Sequence, residues 1–301
     1  MNAQSNPIPE SSGAEKIPPA ATSATKPFYW SVRRELWEYR SIYLAPLGVS
    51  AVMLLGFLIA TIGRALSTPD LAQRRHILEE PYIFATGVVM VTMFIVSIYY
   101  CLDTFHAERR DRSILFWKSL PVSDRTAVLA KVSIPFVILP AVAIAITYTT
   151  NWIMLLLSSA VMLASGLSAG PMWRQLVLLQ LSLLYHLLTV HLLWYAPLYT
   201  WLLLISAWAR RAALLWATVP LLAIGFLEKI VFRTDYFTAW LKYRLSGPEP
   251  YDMAAPGFAF HPMMHLNFAR FLSTPGLWIG FVLAAIFVAA TIRLRRYREP
   301  M

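Results

Sequence analysis

Cysteine and charged residues are both scarce in this sequence. Cys101 is the only cysteine, and Asp, Glu, Lys and Arg together make up 14% of the 301 residues. A single cysteine excludes a disulfide framework and the zinc sites that several cysteines build. Ordinary globular domains are about 25% charged; here the uncharged residues form long apolar runs, which excludes a soluble protein. The hydrophobic content of 58% also excludes a disordered chain.

Two motifs of nucleotide and metal chemistry are missing as well. No G-x-x-x-x-G-K-[ST] phosphate loop occurs, and Lys118-Ser119 lacks the glycines that such a loop needs. No H-E-x-x-H motif of a zinc protease occurs either. We therefore predict that the chain is not an enzyme and uses no cofactor. The net charge is +10, but the basic residues that produce it flank the apolar runs. We therefore expect no nucleic acid partner.

The long apolar runs predict an all-α, polytopic membrane protein. A helix of about 20 apolar residues crosses the roughly 30 Å hydrocarbon core of a membrane. Such runs must be helical, because backbone polar groups in lipid have to be satisfied within the segment. We predict a transmembrane domain over residues 28–293 with six spans, at about 42–63, 81–102, 132–157, 176–207, 212–231 and 273–292.

The fourth and fifth spans depart from simple runs. The 35 uncharged residues before Arg210 are too many for one straight span, and Pro197 is expected to kink that helix. Only 16 residues separate Arg211 from Glu228, so the fifth helix is expected to continue past Glu228 and Lys229. A charge at mid-bilayer costs about 3 kcal/mol. These two side chains should therefore lie near an interface or face protein, with partners that the sequence leaves open.

The basic residues that flank the spans predict the orientation. The side that holds both termini and segment 103–131 carries 17 of the 26 Lys and Arg residues. Basic flanks stay in the cytoplasm, so both termini are predicted to be cytoplasmic, in a bacterial inner membrane. Residues 1–27 lack the apolar core of a signal peptide and predict a disordered tail. Residues 294–301 predict a short basic tail.

An amphipathic helix is predicted just before the first span. Its charged residues Arg34, Glu35 and Glu38 lie opposite an apolar stripe, and Trp30 and Trp37 suit a headgroup belt. We expect this helix to lie in the cytoplasmic headgroup region. A plain extension of the first span is the alternative. The stripe consists of Tyr29, Val32, Leu36, Tyr39 and Tyr43.

Two short helices are predicted on the other side of the membrane. Thr68-Pro69-Asp70 places an N-cap and a proline before a helix that ends near Glu80. In the longer external segment, residues 231–275, Thr234 is expected to cap a second helix that ends at Ser246-Gly247-Pro248. Aromatic residues crowd this second helix, so we expect it to rest on the outer leaflet.

The cytoplasmic segment 103–131 carries the clearest functional signal. It is the most densely charged stretch of the chain, yet apolar residues interrupt it at positions 114–117 and 120. Leu115 falls on an otherwise polar helix face and is a candidate contact for a partner's pocket. Ser123 is expected to cap the third span, with Asp124 placed against the helix dipole. A basic loop held on anionic lipid is the alternative, which the four acidic residues of the segment weaken.

Two stretches of the sequence resemble a known family. Glu108-Arg109-Arg110-Asp111-Arg112-Ser113-Ile114-Leu115, followed by Ser119-Leu120-Pro121-Val122-Ser123, is similar to the conserved cytoplasmic loop of ABC-2 type transporter permeases. Arg33-Arg34-Glu35-Leu36 is similar to the interfacial helix ahead of that family's first span. Six predicted spans with both termini in the cytoplasm agree with the family's layout.

The resemblance implies the permease subunit of a transporter that a separate ATPase drives. Such a subunit pairs with a second copy or a related permease, contacts membrane lipid, and binds two ATPase subunits through the loop. Leu115 and Phe116 would supply apolar contact, and the charged residues around them would supply complementarity. The substrate stays open. The implied docking element comprises Glu108, Arg109, Arg110, Asp111, Arg112, Ser113, Ile114, Leu115, Phe116, Trp117, Lys118, Leu120 and Pro121.

Two other classes of function stay open. Gly166-Leu167-Ser168-Ala169-Gly170 matches the G-x-S-x-G motif of serine hydrolases, as an intramembrane serine protease would require, but no strand precedes it. Its base would be His186 or His191, which point about 140° apart on an α-helix. An ion-coupled secondary transporter needs ionisable groups at mid-membrane, and among the first four spans and the sixth only these two histidines are available.

A last pattern concerns metal binding in the external segment. His261, Met263, Met264 and His265 offer imidazole and thioether donors that suit copper or zinc. Their spacing matches no recognised metal motif. We therefore expect ordinary histidines in an interfacial loop and no bound metal.

Overall fold

The computed structural model describes residues 25–111, 122–166, 168–247 and 268–297. Every regular element in these four ranges is a helix, which confirms the all-α prediction. We number the helices along the chain. They are α1 Thr25–Glu38, α2 Ser41–Ser67, α3 Leu71–Glu79, α4 Pro81–Arg110, α5 Asp124–Ala164, α6 Gly170–Trp194, α7 Ala196–Trp208, α8 Ala213–Phe232, α9 Tyr236–Ser246, α10 Phe268–Leu272 and α11 Pro275–Tyr297.

Six of these helices are long and apolar enough to cross a membrane, namely α2, α4, α5, α6, α8 and α11. Each overlaps a predicted span, although the predicted fourth span, 176–207, is divided between α6 and α7. The helix α4 lies at the centre of the bundle and packs on α2, α5 and α7, while α7 packs along α11. The helix α8 lies at the edge, where Ala213 and Ala217 are its buried residues.

The third span is longer than its predicted apolar part. The helix α5 begins at Asp124, well before residue 132, because the Ser123 side chain caps it as predicted. The Ser123 Oγ accepts a hydrogen bond from the Thr126 N–H at 3.1 Å, and Asp124 lies in the first turn, where a negative charge is favourable. Its 41 residues give a rod about 60 Å long, which extends beyond the apolar core of a bilayer.

The fourth span is divided where a kink is predicted. The last third of α6, Leu187–Trp194, is a π-helix, and the helical path breaks at Tyr195, before α7 starts at Ala196. Pro197 lies in the first turn of α7, a position where its missing N–H is harmless. Proline therefore starts the new helix instead of bending a continuous one.

The fifth span continues past its two charged residues, as predicted, and the structure supplies their partners. The Glu228 carboxylate accepts hydrogen bonds from the Thr234 hydroxyl at 3.0 Å and from the Phe237 N–H at 2.8 Å. Glu228 therefore caps α9, and the prediction that Thr234 caps it is wrong, because the Thr234 hydroxyl donates to Glu228 instead. The Lys229 Nζ lies 3.7 Å from the Asp235 carboxylate.

A buried arginine anchors α9 at the break of the fourth span. The Arg244 guanidinium lies over the Trp194 ring, with its Cζ 4.4 Å from the ring centre, and its Nη1 donates to the Gly276 carbonyl at 3.0 Å. The Trp194 indole N–H donates to the Arg244 carbonyl at 2.9 Å, and the Tyr195 hydroxyl donates to the Leu245 carbonyl at 2.9 Å. The carbonyls at the end of α9 thus accept hydrogen bonds from Trp194 and Tyr195, where the fourth span is broken.

Polar side chains inside the spans join neighbouring helices, as expected of packing groups. The Asn151 amide donates to the Thr86 hydroxyl at 3.1 Å, and the Tyr82 hydroxyl donates to Ser158 at 3.0 Å. These two contacts join α5 to α4. A third contact, between the hydroxyls of Ser50 and Thr150, joins α5 to α2.

Candidate functional site

Much of the implied docking element lies outside the described residues. Glu108, Arg109, Arg110 and Asp111 close α4, whereas Arg112, Ser113, Ile114, Leu115, Phe116, Trp117, Lys118, Leu120 and Pro121 lie outside the described ranges. The suggested metal ligands His261, Met263, Met264 and His265 also lie outside them. Within the four described ranges, no three His, Cys, Asp or Glu side chains are grouped closely enough to hold a metal ion.

The four described members of the element point in different directions. Arg110 and Asp111 are exposed and form an ion pair at 3.0 Å. Glu108 is 1% exposed and Arg109 5% exposed, so both side chains are turned into the bundle. Arg109 donates to the Ala209 carbonyl at 2.8 Å, where α7 has ended and its last carbonyls need donors. Glu108 and Arg109 therefore act within this chain, and the charges offered outward are Arg110 and Asp111.

Glu108 belongs to a group of charged side chains that four helices bring together. Three are cations and three are carboxylates, so their formal charges cancel. The side chains of Glu35, Glu108 and Lys131 are each 1% exposed, and that of Arg295 is 4% exposed. We name this group the charge cluster. It consists of Arg34 and Glu35 on α1, Glu108 on α4, Asp124 and Lys131 on α5, and Arg295 on α11.

Lys131 lies at the centre of the charge cluster. Its Nζ is 2.8 Å from the Glu35 carboxylate and 3.2 Å from the Glu108 carboxylate. The same Nζ donates to the Thr104 hydroxyl at 2.7 Å. An ammonium group has three N–H donors, and three side chains from α1 and α4 surround this one.

Glu108 in turn forms ion pairs with cations from three other helices. Besides Lys131 on α5, the Arg34 Nη2 lies 2.8 Å from its Oε1 and the Arg295 Nη1 lies 2.7 Å from its Oε2. Arg295 also reaches Asp124, with its Nε 3.2 Å from the carboxylate. The charge cluster therefore joins the last turn of α4, where the docking element begins, and the start of α5, which follows the element, to α1 and α11.

The second oxygen of Glu35 is satisfied by neutral donors from α4. The Tyr100 hydroxyl donates to it at 2.9 Å and the Thr104 hydroxyl at 3.1 Å. Burial alone would raise the pKa of the Glu35 carboxyl, but Lys131 and Arg34 beside it hold that pKa below its usual value. Since a buried carboxylate is tolerated only when it is paired and hydrogen-bonded, these contacts explain how Glu35 stays charged in the interior.

Acid is expected to loosen α1 from the bundle. A carboxylate with a lowered pKa stabilises the fold above its ordinary value, 4.5 for Glu35, and that stabilisation is lost as the pH falls through the lower value of the folded state. We expect hydrogen–deuterium exchange of α1, corrected for the intrinsic rate, to increase below about pH 4.5 in the wild-type protein. Protection that persists to pH 3, or the same acid response in Glu35→Gln, would contradict this.

The position of Glu35 corrects the predicted helix face. The sequence places Glu35 on the outward side of α1 with Arg34 and Glu38, yet Glu35 is 1% exposed and is the most deeply buried side chain over residues 27–38 of that helix. Periodicity identifies a polar face but not what covers it. Lys131 could have indicated this partner, since it is a lone cation at the start of an apolar run, but among the basic residues that flank the spans it indicates only topology.

The alternative hydrolase site is not assembled. The Ser168 hydroxyl accepts from the Gly170 N–H at 3.3 Å, and His186 lies roughly 24 Å further along α6. The π-helix Leu187–Trp194 begins directly after His186, so the separation of about 140° expected of a regular α-helix does not apply to His186 and His191. His191 is instead paired with the Tyr199 hydroxyl at 2.7 Å.

No protein-family model, curated protein or solved structure matches this chain. What the structure establishes is an all-helical chain, within the described ranges, with six helices suited to crossing a membrane.

Proposed function

We propose that this chain is the permease subunit of an ATP-binding cassette transporter in a bacterial inner membrane, with both termini in the cytoplasm. It would move its substrate across that membrane together with a second permease subunit. Two ATPase subunits would bind the docking element, residues 108–121. The absence of a phosphate loop in the sequence agrees with an energy source on a separate subunit.

One observation carries this proposal. The charge cluster holds Glu108, the first residue of the docking element, and Asp124, shortly after its end, through the shared partner Arg295. A segment whose two ends are fixed to each other and to α1 and α11 moves with those helices. A push on the docking element would therefore reach three spans and α1 together, which is the requirement for driving a change between two arrangements of the bundle.

The described residues of the docking element have two different roles. Arg110 and Asp111 are exposed and available to a partner. Glu108 and Arg109 transmit, because Glu108 is fixed in the charge cluster and Arg109 is bonded to the end of α7. Leu115 and Phe116 keep their predicted role as the apolar contact.

Leu115→Asp is expected to weaken the binding of the ATPase to the docking element and so to separate ATP hydrolysis from transport. A carboxylate placed in an apolar pocket of the ATPase costs about 2–5 kcal/mol of binding, while membrane insertion is unchanged. The measurement compares the amount of chain in the membrane with the amount of ATPase that copurifies with it. Copurification at the wild-type level would remove Leu115 from the contact. Leu129→Asp, at an exposed leucine of α5 outside the docking element, is the matched control.

Site-specific photo-crosslinking tests the proposal as a whole. A photoreactive residue at position 115 is expected to capture a subunit that contains a phosphate loop, when the full chain is expressed in its own host. The same residue at position 236, where Tyr236 is 80% exposed on α9, is expected to capture none. Absence of an ATPase at position 115, or its capture at position 236, would overturn the proposal.

A further inference from the structure

The outward face of α1 carries aromatic side chains that no other part of the described chain covers. Trp30 is 56% exposed, Trp37 64% and Tyr29 58%. The opposite face of the helix is fixed, because Arg34 and Glu35 belong to the charge cluster. The exposed aromatic face therefore has a defined direction relative to the bundle.

Arg33 lies between two of these exposed rings. Its Cζ is 5.1 Å from the centre of the Trp30 ring and 4.7 Å from that of the Trp37 ring. The neighbouring carboxylate of Glu38 lies near Arg34, with 3.8 Å between the Arg34 Nε and the carboxylate oxygen. Within the described ranges, no carboxylate lies within ion-pair distance of Arg33. The two indoles hold the guanidinium in place but leave its charge uncompensated.

The chain fixes where this face lies relative to the membrane. The helix α1 ends at Glu38 and the first candidate span begins at Ser41, so two residues separate them. Two residues span at most about 10 Å between the helix ends. If α2 crosses the membrane, α1 lies at the depth of the lipid headgroups, where Trp and Tyr are enriched. The abundant anion at that depth is the lipid phosphate.

We propose that Trp30, Arg33 and Trp37 form a binding site for an anionic phospholipid of the leaflet that α1 contacts. Arg33 holds the phosphate through its planar N–H donors, and the two indoles pack against the glycerol and the upper acyl chains. Arg40, exposed between α1 and α2, adds a second positive charge for an anionic headgroup. The site rests on the proposed membrane position of α1 and does not involve the ATPase.

Lipid retention tests the role of Arg33. The full chain is purified from nanodiscs that contain equal amounts of phosphatidylglycerol and phosphatidylcholine, and the lipids that stay bound are counted by native mass spectrometry. Arg33→Gln is expected to lower phosphatidylglycerol retention about fivefold. Arg33→Lys keeps the charge but loses the planar arrangement of N–H donors. It should retain an amount of phosphatidylglycerol between those of the wild type and Arg33→Gln. Arg211→Gln, at another exposed arginine, is the matched control and should retain lipid as the wild type does.

Fluorescence quenching separates failure of the site from failure of the membrane position. Brominated phosphatidylglycerol is expected to quench part of the tryptophan emission, and this part should shrink in Trp30→Phe/Trp37→Phe. The buried Trp194 provides the control, since Trp194→Phe should leave the lipid-quenched part unchanged.

Three further outcomes would overturn the site. If the double variant is quenched like the wild type, α1 is not at the headgroups, and both the site and that part of the proposed topology are wrong. If quenching is as expected but Arg33→Gln retains as much phosphatidylglycerol as Arg211→Gln, the topology stands and the phosphate site is wrong. Release of the lipid by millimolar inorganic phosphate would assign the site to a free anion instead.

Discussion

Replacing Lys131 with methionine is expected to abolish the stable fold of this protein. The substitution keeps the length of the side chain and removes the more deeply buried of the two cations, Lys131 and Arg34, that each contact both Glu35 and Glu108. Two carboxylates that are each 1% exposed would then share one site. Breaking a buried ion pair by removing one partner costs about 3–5 kcal/mol, a large part of the total stability of an ordinary domain. Thermal unfolding in detergent and steady-state abundance in the membrane measure the loss.

Two further variants decide whether loss of charge balance causes the loss of stability in Lys131→Met. Arg125→Met removes an exposed cation six positions earlier on the same helix and should leave stability within about 0.5 kcal/mol of wild type. Adding Glu35→Gln to Lys131→Met restores the neutrality of the charge cluster and should recover part of the loss. If Arg125→Met is equally harmful, or the added Glu35→Gln makes the protein still less stable, the electrostatic explanation fails.

Gly280→Ala is expected to expel the Arg244 side chain and detach the end of α9. A Cβ atom at residue 280 would lie 1.8 Å from the Arg244 Nη2 and 2.7 Å from its Cζ, far inside contact distance. The guanidinium would have to leave the Trp194 ring and the Gly276 carbonyl that now hold it. Overpacking of this kind costs about 1–3 kcal/mol. Limited proteolysis after α9 and thermal unfolding are the measurements.

The sign of the change in stability distinguishes a steric collision with Arg244 from an effect of helix propensity. Gly48→Ala on α2 meets no atom within 4 Å and should be neutral or stabilising by up to about 1 kcal/mol. Arg244→Ala should be non-additive with Gly280→Ala, because the first variant removes the group with which the second collides. Equal losses in both glycine variants, or strict additivity with Arg244→Ala, would contradict the close approach of Arg244 to α11.

Local signals in the sequence anticipated much of the helical framework. The Ser123 cap of α5 is a local hydrogen bond between residues three apart, so the sequence contains both partners. The end of α9 at Ser246 follows in the same way from Gly247, whose φ of 97° suits glycine. The cap at Thr234 failed because Glu228, six positions earlier in the preceding helix, reaches the same helix start.

The candidate site could not be predicted in this way. The sequence resemblance drew attention to residues 108–121, but the charge cluster also needs Glu35, Lys131 and Arg295. The Glu108–Arg295 contact joins residues 187 positions apart, and the Glu35–Lys131 contact joins residues 96 positions apart. No periodicity on one helix indicates which charged side chain of another helix will meet it.

The sequence by itself determined that this is an all-helical chain with six segments suited to a membrane. That conclusion follows from run length and composition, because transfer into lipid acts on each segment separately. Only the tertiary structure decided that Glu35 and Glu108 face inward and that Arg109 closes α7. Those outcomes depend on the packing of α1, α4, α5, α7 and α11, since a buried charge takes its position from the partners that other helices bring to it.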